Sequence, residues 1–125
     1  MRNIILIIFI LLSCQDNKKF EILKYSDFKN KIESSDVILI DVRTPMEYSQ
    51  GHIQGSVNVD FKEEKDFQNY FKNLDKSETI FLYCRSGNRS KKSAEKLIDL
   101  GFNKIYDLDG GFIEWNLEEL KKINP

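Results

Sequence analysis

Cys84 opens the stretch Cys84-Arg85-Ser86-Gly87-Asn88-Arg89-Ser90, directly after the apolar run Thr79–Tyr83. A core cysteine has apolar neighbours on both sides, whereas this one is followed by two arginines, a glycine and an asparagine. Such a loop has the parts of an anion cradle. Gly87 admits a positive φ and close backbone approach. Successive N–H groups over residues 85–89 can turn inward as a nest. The end of the helix that follows, expected to be capped by Ser90, adds about half a positive charge, and Arg85 and Arg89 add whole charges if they lean in. All of these favour thiolate over thiol, so the spacing predicts a nucleophilic Cys84 of depressed pKa. The alternative, on spacing alone, is a strand-end cysteine in a turn with solvated arginines.

Loop length bears on the ligand. Cysteine phosphatases hold phosphate in a loop of the form Cys, five residues, Arg, but here Arg89 follows Cys84 after only four. The ring of N–H groups is one residue tighter and the clamping arginine is out of register, which disfavours tetrahedral phosphate.

The elements that must position this loop alternate. Phe20–Leu23 reads as a weak first strand. Ser26 is expected to cap a helix with Phe28 and Ile32 on one face. Val37–Val42 is a continuous apolar run, the mark of a buried parallel strand. Ser56–Val59 reads as a short strand. Phe67, Tyr70, Phe71 and Leu74 recur at i, i+3, i+4, i+7, an amphipathic helix. Thr79–Tyr83 is the second strong buried strand. Ala94, Leu97 and Ile98 give the next helix its inner face, and Gly101 is expected to end that helix. Lys104–Leu108 is a further strand, and Leu117, Leu120 and Ile123 mark a closing helix. Strand–helix alternation with buried strands predicts an α/β domain around a parallel sheet, with ligands beyond the carboxyl ends of the strands, where Cys84 stands.

Three separated motifs, in order, resemble those of the rhodanese-like single-domain sulfurtransferases. The loop from Cys84 is one. Asp41-Val42-Arg43 with Glu47-Tyr48, Gly51-His52-Ile53, Gly55-Ser56 and Asn58 is the second. Gly110-Gly111-Phe112 with Trp115 is the third. The resemblance implies a three-layer fold with a central, mostly parallel five-stranded sheet flanked by helices. It implies that Cys84 carries a persulfide, taking a sulfane sulfur from thiosulfate or a persulfide and passing it to cyanide or a thiol, with Arg85, Ser86, Gly87, Asn88 and Arg89 forming the loop around it. No cofactor and no metal is implied. The alternative is a carrier or thiol-redox sensing module without rapid turnover.

The supporting residues follow from the same resemblance. Asp41 and Arg43 read as scaffold, Arg43 pairing with a carboxylate such as Glu47. Arg89 is expected to pair with an acid and order the loop. His52, the lone histidine, reads as a turn residue bonded to backbone rather than a general base for Cys84. Gly110 and Gly111 are expected to let backbone pass close to the loop, with Phe112 and Trp115 packing nearby. Two positions depart from the family pattern. Asp60 stands where many relatives have proline, and Ser86 stands where some thiosulfate-using relatives have lysine.

The chain begins with Arg2 and the apolar run Ile4–Leu12, too short to span a bilayer, which takes about 20 residues, but suited to a secretory signal. It ends in Leu11-Leu12-Ser13-Cys14, which resembles a bacterial lipobox. This divides the chain into a signal peptide (1–13), a tether (14–19) and the domain (20–125). Cys14 would carry lipid and anchor the protein to a membrane of the cell envelope. A Cys14–Cys84 disulfide is the competing arrangement. Of 125 residues 31% are charged and the net charge is −1, which suits a globular domain and leaves no basic surface for nucleic acid. The expected partners are a small sulfur compound and a membrane, and the expected state is a monomer.

Overall fold

The computed structural model describes residues 20–125; the expected signal peptide, tether and lipid-bearing Cys14 fall outside the described residues. The elements run β1 (Phe20–Leu23), α1 (Tyr25–Ser34), β2 (Ile38–Asp41), α2 (Pro45–Ser49), β3 (Val57–Asn58), α3 (Glu64–Lys72), β4 (Thr79–Tyr83), α4 (Asn88–Asp99), β5 (Lys104–Leu108) and α5 (Gly111–Ile123). All strand pairs are parallel, in the order β1-β5-β4-β2-β3. The expected five-stranded α/β sheet is therefore present and wholly parallel.

Each face of the sheet buries its own cluster. On one, Ile40, Val42, Ile80, Leu82 and Ile105 meet Phe67 and Phe71 of α3 and Ala94 and Leu97 of α4. On the other, Leu39, Phe81 and Tyr83 meet Phe28 of α1, with Phe112 and Trp115 of α5 packed alongside. Strands covered on both faces need apolar residues at successive positions, which is why β2 and β4 lack polar alternation. β4 is the middle strand, so Cys84 leaves the sheet at its centre.

Helix ends depart from expectation in informative ways. α1 starts at Tyr25, with no side-chain cap and Ser26 already inside; the Tyr25 ring packs edge-on against Trp115, centroids 5.2 Å apart, which draws the helix start toward α5. α4 starts at Asn88, with Gly87 and not Ser90 at the cap. Its far end is as expected. Gly101 N–H donates to the Ile98 carbonyl and Phe102 N–H to the Leu97 carbonyl, a Schellman closure that seats Phe102 in the core. α2 lies where the sequence reading has no element. It is built by Thr44 and Glu47, which cap one another, with Pro45 in the first turn.

Candidate active site

The turn after β4 is held from two sides. Phe112 N–H donates to the Cys84 carbonyl at 2.8 Å and Ile113 N–H to the Arg85 carbonyl at 3.1 Å. These are free donors of the first turn of α5, so the loop completes the helix start. Peptide units are planar and trans, so carbonyls aimed at α5 turn the N–H groups of Arg85 and Ser86 away from it. On the other side Gly87, at φ 112°, passes the chain straight into α4. Its N–H donates to Cys84 Sγ at 3.0 Å.

The close approach of α5 depends on Gly111. A Cβ at that position would lie 2.5 Å from the Cys84 carbonyl oxygen and 2.7 Å from the carbonyl carbon and oxygen of Arg85, and φ there is +60°. Gly110 caps α5.

Cys84 is a free thiol with 1% of its surface exposed. Its strand side joins the apolar cluster under α4. Its loop side is polar: besides the Gly87 N–H, the thiol faces Ser90 Oγ at 3.4 Å, and Ser90 donates to the Gly87 carbonyl at 3.2 Å. Arg85, Ser86 and Asn88 are exposed on the outer rim, and Gly87 is buried.

Arg89 does not point its charge freely at the thiol. Its Nη1 and Nη2 donate to Glu47 Oε1 and Oε2 at 2.6 and 2.8 Å, tying the start of α4 to α2. That fork holds the Glu47 carboxyl down at about 2, against the opposing effect of burial. A carboxyl below its ordinary value of 4.5 contributes stability that is present above that value and fades as pH falls toward 2. Glu47→Gln is therefore expected to cost about 1–2 kcal/mol at pH 7, after allowance for partial exposure. In thermal melts, the gap between wild type and variant should narrow as pH falls from 5 to 2.5.

Arg43 takes a different partner from the one expected. Glu47 is occupied by Arg89 and Thr44, and Arg43 turns back to Asp41: Nε lies 3.0 Å from each carboxylate oxygen and Nη2 2.7 Å from Oδ2. Nη2 also donates to the Gly51 carbonyl at 2.7 Å, and the guanidinium lies 4.3 Å from the Phe112 ring centre. Residues two apart on extended chain share a side, so this pairing is local. Burial works against the charge on Arg43, and the pairing with Asp41 outweighs it, leaving its pKa above the ordinary value. Asn58 Nδ2 donates to the carbonyls of Asp41 and Arg43, fixing β3 to the same corner.

His52 is exposed. Its ring stacks on Tyr48 at 3.7 Å and its Nδ1 lies 2.9 Å from the Tyr48 carbonyl oxygen, so it is engaged with α2 rather than with Cys84. Trp115 packs on the opposite side of the sheet, against Tyr25. Beside the loop a shallow cleft of about 230 Å³ is lined by Arg43, Glu47, Gln50, Arg85, Phe112 and Asn116, among others. Among the described residues no group of three or more His, Cys, Asp or Glu side chains converges as a metal site.

Three buried polar residues of this region have roles that the sequence reading did not give them. Tyr83 receives the Ile53 N–H and shares a hydrogen bond with Ser56, locking the turn after α2 to β4. Ser90 contacts the thiol instead of capping a helix. Asp107 is buried with no partner. Its signal was an acid inside the otherwise apolar inner face of Lys104–Leu108.

The profile of the Rhodanese-like domain family matches residues 24–118. Among curated proteins, the chain is 32% identical over 84 residues to a thiosulfate sulfurtransferase, GlpE, of Pseudomonas entomophila, covering 67% of this chain and 74% of that one. It is 31% identical over 99 residues to a tRNA uridine(34) hydroxylase of Cytophaga hutchinsonii, covering 78% of this chain but only 32% of that protein's length. Among solved structures, a rhodanese-related protein of Thermoplasma volcanium superposes with a TM-score of 0.67 at 31% identity, covering 78% of this chain and 92% of that one. A rhodanese-like domain protein of Staphylococcus aureus gives 0.66 at 29% identity, covering 76% and 90%.

Proposed function

Since the chain belongs to the rhodanese-like domain family, we propose that it is a sulfurtransferase that carries a sulfane sulfur on Cys84. The Cys84 thiolate attacks the outer sulfur of a donor. The donor's sulfur–sulfur bond breaks and its electron pair leaves with the remainder, sulfite from thiosulfate or a thiolate from a persulfide. Cys84 then holds a terminal, negatively charged sulfur. A nucleophilic acceptor, cyanide or a thiol, takes that outer sulfur, and the electron pair of the broken bond returns to Cys84. One transfer becomes two displacements, with ping-pong kinetics.

The observation that supports this most is the clamp of α5 on the carbonyls of Cys84 and Arg85 together with the Gly87 N–H on the thiol sulfur. Donors fixed in advance stabilise charge without reorganising during the reaction. The N–H groups of Arg85 to Arg89 would surround the outer sulfur. Arg85, exposed beside the cleft and free of the ion pair that occupies Arg89, would draw anionic donors toward it. Among donors, Ser86 argues for a persulfide or polysulfide over thiosulfate, because some thiosulfate-using relatives carry lysine there.

Steady-state transfer to cyanide tests this reading, with polysulfide and thiosulfate as parallel donors and Cys84→Ser as the control. Turnover dependent on Cys84, faster from polysulfide, is expected. Wild type no faster than Cys84→Ser with either donor would reject the enzyme and favour the carrier or redox-sensing alternative. Residues 1–14 alone support export and lipid attachment at Cys14, which would hold the domain at the cell envelope.

A further inference from the structure

We propose that Asp107 and Cys84 act as a coupled acid pair across Ser90, so that the proton on the Asp107 carboxyl helps to set the charge on the Cys84 sulfur. This rests on reading Cys84 as the reacting sulfur.

Asp107 lies on β5 opposite Leu82 of β4 in the parallel register. Side chains two apart on a strand share a face. Leu82 and Cys84 thus face one way, as do Ile105 and Asp107, and Leu82, Cys84 and Ile105 belong to the cluster beneath α4. Asp107 is wholly buried there, and neither of its carboxylate oxygens has a hydrogen-bond partner. A buried acid without a partner is uncommon and calls for an explanation. The first turn of α4 places wholly buried Ser90 against the same site, its Oγ 3.4 Å from Cys84 Sγ.

Burial pushes the Asp107 carboxyl up to about 6, and Ser90 offsets part of that rise. Lys91 on α4 also draws the value down, and Asp109, in the turn before α5, pushes it up. From β4 the facing titratable group is Cys84; from β1 the register partner is uncharged Ile22.

Ser90 has one hydroxyl proton to give; the structure directs it to the Gly87 carbonyl, so either alternative turns that hydroxyl away from Gly87. When Asp107 is neutral, its O–H can donate to Ser90 Oγ, and the Ser90 hydroxyl is free to donate to sulfur, which favours the thiolate. When Asp107 is ionised, it takes the Ser90 hydroxyl, and Ser90 presents a lone pair to the S–H, which favours the thiol. Two negative charges buried on the same face of the sheet also repel. Ionisation of Cys84 therefore balances internally: the S–H bond breaks with its electron pair left on sulfur, that proton goes to Ser90 Oγ, and the Ser90 proton goes to the Asp107 carboxylate. The same coupling would make Asp107 the proton store that accompanies persulfide formation.

The test is a thiolate titration of the purified protein by absorbance near 240 nm between pH 5 and 9, taken as a difference against Cys84→Ser to cancel Cys14 and the tyrosines. Wild type is expected to titrate over a wider range than a one-proton curve. Asp107→Asn is expected to give a one-proton curve with its midpoint lower by about one pH unit. Coincident curves would overturn the proposal. A second measurement needs no change at Asp107: its carboxyl 13C shift is followed with pH in wild type and in Cys84→Ser. A second inflection at the thiol midpoint in wild type alone is expected, and identical single-step curves would overturn the coupling. Intact mass after polysulfide separates the two readings, since absence of added sulfur would reject sulfur transfer while the titrations still decide on Asp107.

Discussion

Gly111→Ala lowers stability by about 3 kcal/mol and sulfur transfer by roughly a hundredfold or more, if α5 positions the loop as described. Two effects add. Alanine at φ +60° carries a left-handed backbone penalty of about 1–2 kcal/mol. Its Cβ would meet backbone, the Cys84 carbonyl oxygen at 2.5 Å, and neither partner can swing aside as a long side chain would. Relieving such an overlap costs about 1–3 kcal/mol of displaced structure. The displacement falls on the two hydrogen bonds from Phe112 and Ile113 that orient the loop, and a shift of about 1 Å at a reacting group costs about a hundredfold. Denaturant unfolding and transfer kinetics of the same variant check both parts. A variant with normal stability and normal turnover would show that the clamp is dispensable.

Arg43→Met is expected to be comparably damaging to the fold. Asp41 is wholly buried, and its carboxylate is matched by the Arg43 fork and backbone N–H. Removing one member of a buried pair strands the other, which costs about 3–5 kcal/mol. Asp41→Asn combined with Arg43→Met should recover part of that loss, because no charge is then left buried. The double-mutant cycle, read by chemical denaturation, gives the coupling. A double variant no more stable than Arg43→Met alone would mean that the pair matters for packing rather than charge.

Much of the architecture was legible because it follows from periodicity. β2 and β4 are apolar at successive positions, and α3 repeats its aromatics at helical spacing. Strand–helix alternation then leaves a parallel sheet as the simplest arrangement. The loop was legible because cysteine, glycine and arginine have few joint uses at a strand end. What could not be read were choices that depend on distant partners. Arg89 claims Glu47 from 42 residues away, and only then does Arg43 fall back on Asp41, its neighbour on the same side of the strand. α2 is five residues long, too short for an apolar period, and its one signal is the Thr44–Glu47 capping box. Asp107 was passed over inside its strand because its burial is set by α4 packing on β5. Ser90 was read as a helix cap because Gly87 starts the helix earlier than side-chain capping would suggest.

The central claim is that Cys84, held by the start of α5 and the N–H of Gly87, stores one transferable sulfur. Intact mass of the purified protein after polysulfide, compared with Cys84→Ser, addresses it most directly. The expected result is a gain of one sulfur atom on wild type that cyanide removes, with no such gain from Cys84 in the variant. An unchanged mass, or the same cyanide-labile gain in Cys84→Ser, would contradict it.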